Sequence, residues 1–219
     1  DATFGDVEQS SQLFQQFDEA ARPYKQLLDI YVARHFGVSH ADEFLRFYGA
    51  EAVQAGPESL DKPYDEVMRQ TRKLHEEKRF FHWDLEFPEV FLDLERATWK
   101  ENPGFDAVIG NPPYALLQGT NQQKPLSKIY PEIFSGSNDI SHFFLMHGAQ
   151  LVRQTGVLGL IVTRYWMEAY LTSGLRRFLT TYVQPAQIID FGNLQVWPDV
   201  NVLTLICLFR KGAVGGTEI

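Results

Sequence analysis

The segment Phe105-Asp106-Ala107-Val108-Ile109-Gly110-Asn111-Pro112-Pro113-Tyr114 constrains this chain more than any other. Phe105 to Gly110 is a short apolar run closed by glycine, which reads as a strand. Two consecutive prolines then stop it. Each fixes its own φ, removes a backbone donor and keeps the residue before it out of the helical region. Asn111 and Pro112 are therefore held extended, with fixed carbonyl directions. Open α/β sheets bind ligands just beyond the carboxyl ends of their strands, and Asn111 stands at such an end.

Three more apolar runs follow this pattern: Gly156 to Val162, Ile188 to Phe191 and Val202 to Phe209. Helix-like stretches, Ile140 to Arg153 and Glu168 to Thr181, separate the first three strands. The alternation predicts an α/β fold with a parallel or mostly parallel sheet. The last two runs are joined by a short connection containing Gly192 and Pro198, too short for a helical crossover, so that pair is expected to be antiparallel. The first third reads differently. Leu13, Phe14, Phe17, Ala20 and Ala21 recur at helical spacing up to Pro23, and Leu27, Leu28, Tyr31 and Val32 resume it up to Gly37. Ser39 is a candidate cap for a helix carrying Phe44, Leu45, Phe47 and Tyr48. Gly56-Pro57 breaks the chain, and Pro63 opens a helix running to about Lys78. The expected organisation is a helical segment over 1–79, a sheet region over 80–211 and a flexible tail over 212–219.

The ends of the apolar run suggest a chemistry. An exocyclic amine conjugated to an aromatic ring is a poor nucleophile, because its lone pair is delocalised. Two acceptors aimed at its two hydrogens favour a pyramidal nitrogen and expose that lone pair. The Asn111 side-chain oxygen and the Pro112 backbone oxygen are suited to this, and both are neutral, so preorganisation rather than a shifted pKa does the work. Tyr114 supplies a ring on which a flipped base can stack. The plainer alternative is a proline-rich turn with a surface tyrosine; the preceding strand argues against it.

The net charge of −8 and pI near 5.2 argue against strong duplex binding by this chain alone, since such affinity comes largely from Lys and Arg contacts to phosphate. A local basic face remains compatible with that balance. No apolar run is long enough to span a bilayer, and the first residues lack the features of a secretory signal. The single cysteine, Cys207, fits a reducing compartment, so a cytoplasmic location is expected. The histidines show no metal-ligand spacing. His82 reads as a structural histidine and Cys207 as core. Arg164, Arg176, Arg177, Lys124 and Lys128 are either phosphate contacts or ordinary surface charges.

Asn111-Pro112-Pro113-Tyr114 after a strand resembles motif IV of amino-methyltransferases that use S-adenosyl-L-methionine. Phe81-His82-Trp83-Asp84-Leu85-Glu86-Phe87-Pro88-Glu89-Val90-Phe91 before it is similar to the large Type IIG-like restriction–modification enzymes, which are gamma-class N6-adenine DNA methyltransferases of bacteria and archaea. The resemblance implies a partial Rossmann-like methyltransferase sheet with a helical N-terminal segment. It also implies that Asn111, Pro112, Pro113 and Tyr114 form the catalytic loop. Asn138-Asp139 with Phe143-Phe144 resembles motif V, where an aromatic side chain borders cofactor and base. Spacing back from Gly156 favours Phe144 over Phe143, with core packing the alternative for both; Asn111 and Phe144 would then touch the cofactor. Gly156 to Val162 resembles the next strand, with Thr163 where the family commonly has proline. Val196-Trp197-Pro198 resembles motif VIII, which places Trp197 against the base opposite Tyr114.

The glycine-rich strand–turn of the family's motif I, the acidic residue that holds the cofactor ribose and the basic target-recognition region have no counterpart here. The chain therefore resembles a piece, carrying motifs IV to VIII, of a larger protein that acts on double-stranded DNA. Alone it is expected to bind S-adenosyl-L-methionine weakly and to be inactive. Two other readings remain open: an amino-methyltransferase of protein glutamine or RNA, and a non-catalytic scaffold or specificity fragment.

Overall fold

The computed structural model describes residues 4–136, 138–194, 196 and 202–212. It divides into two compact units, 1–87 and 88–219. The 80–87 stretch, grouped with the sheet region on sequence grounds, thus falls in the helical unit. Phe80 packs its ring on Phe36 and His75, and His82 Nε2 donates to the Asp29 carboxylate at 2.8 Å.

The helical unit comprises α1 (Phe4–Ala33), α2 (Ala41–Phe47), α3 (Ala50–Ala55), α4 (Tyr64–Lys78) and the short α5 (Trp83–Glu86). Pro23 does not interrupt α1 as its position suggested. A mid-helix proline forfeits one backbone hydrogen bond and crowds the preceding turn. Here Lys25 pairs with Asp18 at 2.8 Å across the turn that precedes Pro23. Of the apolar residues before Pro23, Leu13, Phe14 and Phe17 are exposed, whereas Ala21 is buried. α1 meets α2, α3 and α4, and Ile30 and Ala33 near its end are buried with Phe44, Val53 and Val67. His40, not Ser39, precedes α2. It adopts a left-handed φ of 60° and makes no side-chain cap. Gly37 ends the preceding turn as expected, with φ 94°.

The second unit opens with α6 (Pro88–Phe91) and a hairpin of β1 (Leu92–Asp93) and β2 (Thr98–Trp99). Then come β3 (Phe105–Gly110), α7 (Gln123–Ile129), α8 (Ser141–Leu151), β4 (Val152–Thr163), α9 (Tyr165–Glu168), α10 (Ser173–Tyr182), β5 (Gln184–Asp190) and β6 (Thr204–Arg210). The sheet order is β3-β4-β6-β5. β3 pairs parallel with β4, and β6 pairs antiparallel with both β4 and β5. The last hairpin is antiparallel as expected, but a mostly parallel sheet is not what forms. Among the described residues three strands of this sheet run one way, yet β6 turns back between β4 and β5, so the β3–β4 pairing is the parallel one. The β5–β6 connection holds no described helix that could carry a parallel crossover, in keeping with this reversal. The fold is mixed α/β with a helical N-terminal segment.

Alternation along the strands puts Leu158 and Val162 of β4 and Leu205, Cys207 and Phe209 of β6 into the core, with Leu145 of α8 and Leu175 and Leu179 of α10. Burial pushes the Cys207 thiol up to about 12, so it stays a protonated, unreactive core group. The opposite sheet face carries Ile161, Ile206 and Leu208, half-buried, and Ile109, which is 81% exposed. The sequence-expected tail past Gly212 lies outside the described residues.

Candidate functional site

β3 delivers Asn111 to the carboxyl end of the sheet, beside the matching end of β4, where Gly110 sits in register with Leu160. Pro112 turns inward and is buried; Asn111 and Pro113 stay exposed. Tyr114 folds back across the end of β4. Its hydroxyl donates to Asn111 Oδ1 at 2.7 Å and lies 3.3 Å from the Ile161 carbonyl oxygen. The amide oxygen that the sequence assigns to a substrate amine is thus already an acceptor, with the phenol as its donor. Sequence reasoning did not anticipate this bond, because it assigned Tyr114 only a stacking ring.

The loop after Tyr114 is stitched to the residues that open α8. Ile140 N–H donates to Ala115 O at 2.8 Å, Leu117 N–H donates to Asn138 O at 3.0 Å, and Leu116 bridges Asp139. Asn138 is fully buried. Its Oδ1 accepts from Ser135 N–H at 2.6 Å and its Nδ2 donates to Ile133 O at 3.0 Å. Asp139 accepts from Ser141 N–H at 2.8 Å, holding the first turn of α8. Burial raises its pKa, and the bonds from Ser141 oppose that rise. Asn138-Asp139 therefore anchors the catalytic-loop candidate from behind.

The two adjacent phenylalanines separate cleanly. Phe143 is buried and packs on Tyr130, with ring centroids 5.4 Å apart. Phe144, one residue on around the helix, is 46% exposed. Only Phe144 has a face to offer a ligand. Trp197 lies outside the described residues. Arg164 and Arg176 are occupied by the fold. Arg164 pairs with Glu168 at 2.6 Å and Asp190 at 3.3 Å, joining the ends of β4 and β5. Arg176 donates to the carbonyls of Trp166 and Ala169, both at 2.8 Å, fixing the turn before α10.

His142 is fully buried, and neither ring nitrogen has a hydrogen-bond partner; the Tyr165 ring lies parallel to it, with centroids 6.4 Å apart. Burial lowers its pKa from 6.5 to about 4. Between those values the unfolded chain binds a proton that the folded chain refuses. Stability is therefore complete above about pH 6.5 and falls as pH drops towards 4, by about 3 kcal/mol in all. His147 is lowered by burial too, with a bond to Gln150 opposing it, and acts in the same direction. His142→Leu removes the larger share and leaves no orphaned polar atoms at that position. Urea unfolding at about pH 7.5 and pH 5 should show a much flatter pH dependence in the variant; an unchanged dependence would refute the assignment.

Among the described residues, no group of three His, Cys, Asp or Glu side chains is placed to hold a metal ion, and no helix is long and apolar enough to cross a membrane. Nor do the described strand ends fit a whole nucleoside cofactor. The end of β3 offers the Asn111 amide, and the exposed Phe144 ring belongs to α8. The Asp190 carboxylate is engaged by Gly192 N–H at 2.8 Å and by Arg164, and no glycine-rich turn follows a described strand.

Residues 41–197 match the family described as Eco57I restriction-modification methylase. The chain belongs to that family. It is 27% identical over 114 residues to the type II restriction enzyme and methyltransferase RM.Eco57I of Escherichia coli, covering 50% of this chain and 11% of that protein. A putative type II restriction enzyme and methyltransferase of Methanocaldococcus jannaschii is 31% identical over 102 residues, covering 46% and 8%. The type II methyltransferase M.TthHB8I of Thermus thermophilus is 26% identical over 125 residues, covering 53% and 28%. The chain thus spans between about a tenth and somewhat over a quarter of the length of these relatives. A solved structure of a putative class I S-adenosylmethionine-dependent methyltransferase from Listeria monocytogenes aligns over 53% of this chain and 34% of its own, with TM-score 0.42 and 15% identity.

Proposed function

We propose that this chain carries the target-base side of a site-specific N6-adenine DNA methyltransferase of a restriction–modification system, with S-adenosyl-L-methionine as methyl donor. The observation that carries this reading is Asn111, exposed at the carboxyl end of β3 with its amide oxygen presented to a hydrogen-bond donor. In this reading a flipped adenine brings its N6 hydrogens to Asn111 Oδ1 and the Pro112 carbonyl oxygen. The two acceptors hold the nitrogen pyramidal and its lone pair exposed. The Tyr114 hydroxyl leaves Asn111 as the amine arrives, and its ring stacks on the base with Trp197 on the other side. Phe144 borders the base and the donor. The cofactor-holding and sequence-reading parts belong to polypeptide outside this chain, acting on double-stranded DNA in the bacterial or archaeal cytoplasm. The exposed Ile109 face of the sheet supports further polypeptide packing there.

The test supplies the longest natural polypeptide containing this chain with methyl-labelled S-adenosyl-L-methionine and duplex DNA, and then digests the DNA to nucleosides. Label in N6-methyladenine is expected. Label in cytosine, in RNA or on protein glutamine instead would overturn the assignment. Within the same assay, Tyr114→Phe keeps the stacking ring and frees Asn111, so kcat/KM should stay within about tenfold of wild type. Tyr114→Ala loses the ring and should fall further, since base stacking contributes about 1–3 kcal/mol.

A further inference from the structure

The helical unit holds a cavity of about 230 Å³ between α1, α3 and α4 that the methyltransferase reading does not use. Its charges are unevenly satisfied. Lys25 is paired with Asp18 and Glu86, each at 2.8 Å. The buried Asp29 is met by His82 at 2.8 Å and His75 at 3.0 Å. Arg22 of α1 and Arg72 of α4 also line the cavity; both are solvent-exposed, and neither makes a hydrogen bond or ion pair among the described residues. Thr71, beside Arg72, is only 4% exposed, and its hydroxyl is buried without a partner. Ile30, Val53 and Met68 supply apolar wall. A buried hydroxyl lacking a partner is rare in folded proteins and calls for a ligand or water.

We propose that this cavity binds the oxyanion of a phosphate ester, with Arg22 and Arg72 carrying its charge and the Thr71 hydroxyl donating to an oxygen. Two guanidinium groups on different helices suit a tetrahedral phosphate, which has oxygens enough for both forks and the hydroxyl. A single fork already satisfies the two oxygens of a carboxylate. The volume is below the roughly 300 Å³ where pockets for whole small molecules begin. It admits one phosphate group and the atoms beside it. That phosphate comes either from a DNA backbone or from a free nucleotide, and the experiment separates these sources. The proposal is independent of the Asn111 reading and stands or falls separately from it.

The test titrates the full 219-residue chain with inorganic phosphate, thymidine 5′-monophosphate and a short DNA duplex, followed by NMR or calorimetry. The variants are Arg22→Gln with Arg72→Gln, and Thr71→Val alone. The double variant should weaken binding of at least one probe by about tenfold or more, and Thr71→Val by less. Weakened inorganic phosphate and nucleotide binding assigns a free phosphate. A loss confined to duplex assigns a backbone phosphate. Circular dichroism and melting check the fold; should the double variant unfold, Arg72→Gln and Thr71→Val are read in the same way. Binding by no probe, or equal binding by wild type and every variant, overturns the proposal.

Discussion

Asn111→Ala, made in the longest natural polypeptide that contains this chain, is expected to lower kcat for methyl transfer by about 10²–10³-fold while leaving DNA affinity within about threefold. The rate falls because one of two preorganised acceptors disappears from the place where the amine must lose its planarity. Affinity holds because duplex binding draws chiefly on phosphate contacts, which a neutral amide does not make. The Tyr114 bond sharpens the expectation. Asn111→Asp keeps an acceptor oxygen of the same reach, but its charge strengthens the bond from the phenol, which lies 2.7 Å from Oδ1 in the native chain. The hydroxyl should then resist displacement, so Asp is expected to be nearly as poor as Ala. Adding Tyr114→Phe to Asn111→Asp should recover part of the loss. Single-turnover rates and duplex titrations on the same preparations measure both quantities. Wild-type turnover in Asn111→Ala would remove Asn111 from the chemistry.

Legibility in the sequence follows the range of the interactions involved. β3 and α4 are readable because local rules bound them: Gly110 and two prolines close the strand, and Pro63 opens the helix. The antiparallel last pair is readable because the connection, with Gly192 and Pro198 in it, lacks a helical pattern for a crossover. The position of β6 between β4 and β5 is not, since it depends on pairing across the sheet. The periodic residues Leu13, Phe14 and Phe17 show the converse limit. Helical spacing predicts their common face correctly but not its exposure, which depends on whether other elements reach it. At the site, the Asn111 loop is visible from its prolines alone. The choice between Phe143 and Phe144 requires knowing which side of α8 meets the core. The phenol–amide bond spans only three residues, yet it depends on the loop's turn, which sets the phenol against both Asn111 and the distant Ile161 carbonyl.

Gly104→Ala is expected to destabilise the second unit by about 3 kcal/mol or more, against about 1 kcal/mol for Gly119→Ala in the same unit. Both glycines have positive φ, 119° and 77°, so both substitutions carry the backbone strain of an L residue in that region. They differ in what a methyl group would meet. At Gly119 nothing lies within 4 Å. At Gly104 an added Cβ would stand 2.5 Å from Leu151 O and 2.7 Å from Arg153 N. These are backbone atoms where α8 hands over to β4, and no rotamer change can move them aside. Relief requires the chain before β3 to shift away from β4. Phe105 pairs with Val152 next to this contact, and the register is already irregular between Phe105 and Ala107. A shift there travels along six residues of strand to Asn111. Gly104→Ala should therefore lower both the unfolding midpoint and the methyl-transfer rate of the intact protein, whereas Gly119→Ala should lower the midpoint slightly and leave the rate alone. Denaturant unfolding of this chain and turnover of the longer polypeptide measure the two effects. Equal losses of stability at the two glycines would mean that the close approach of Gly104 to β4 does not constrain the sheet.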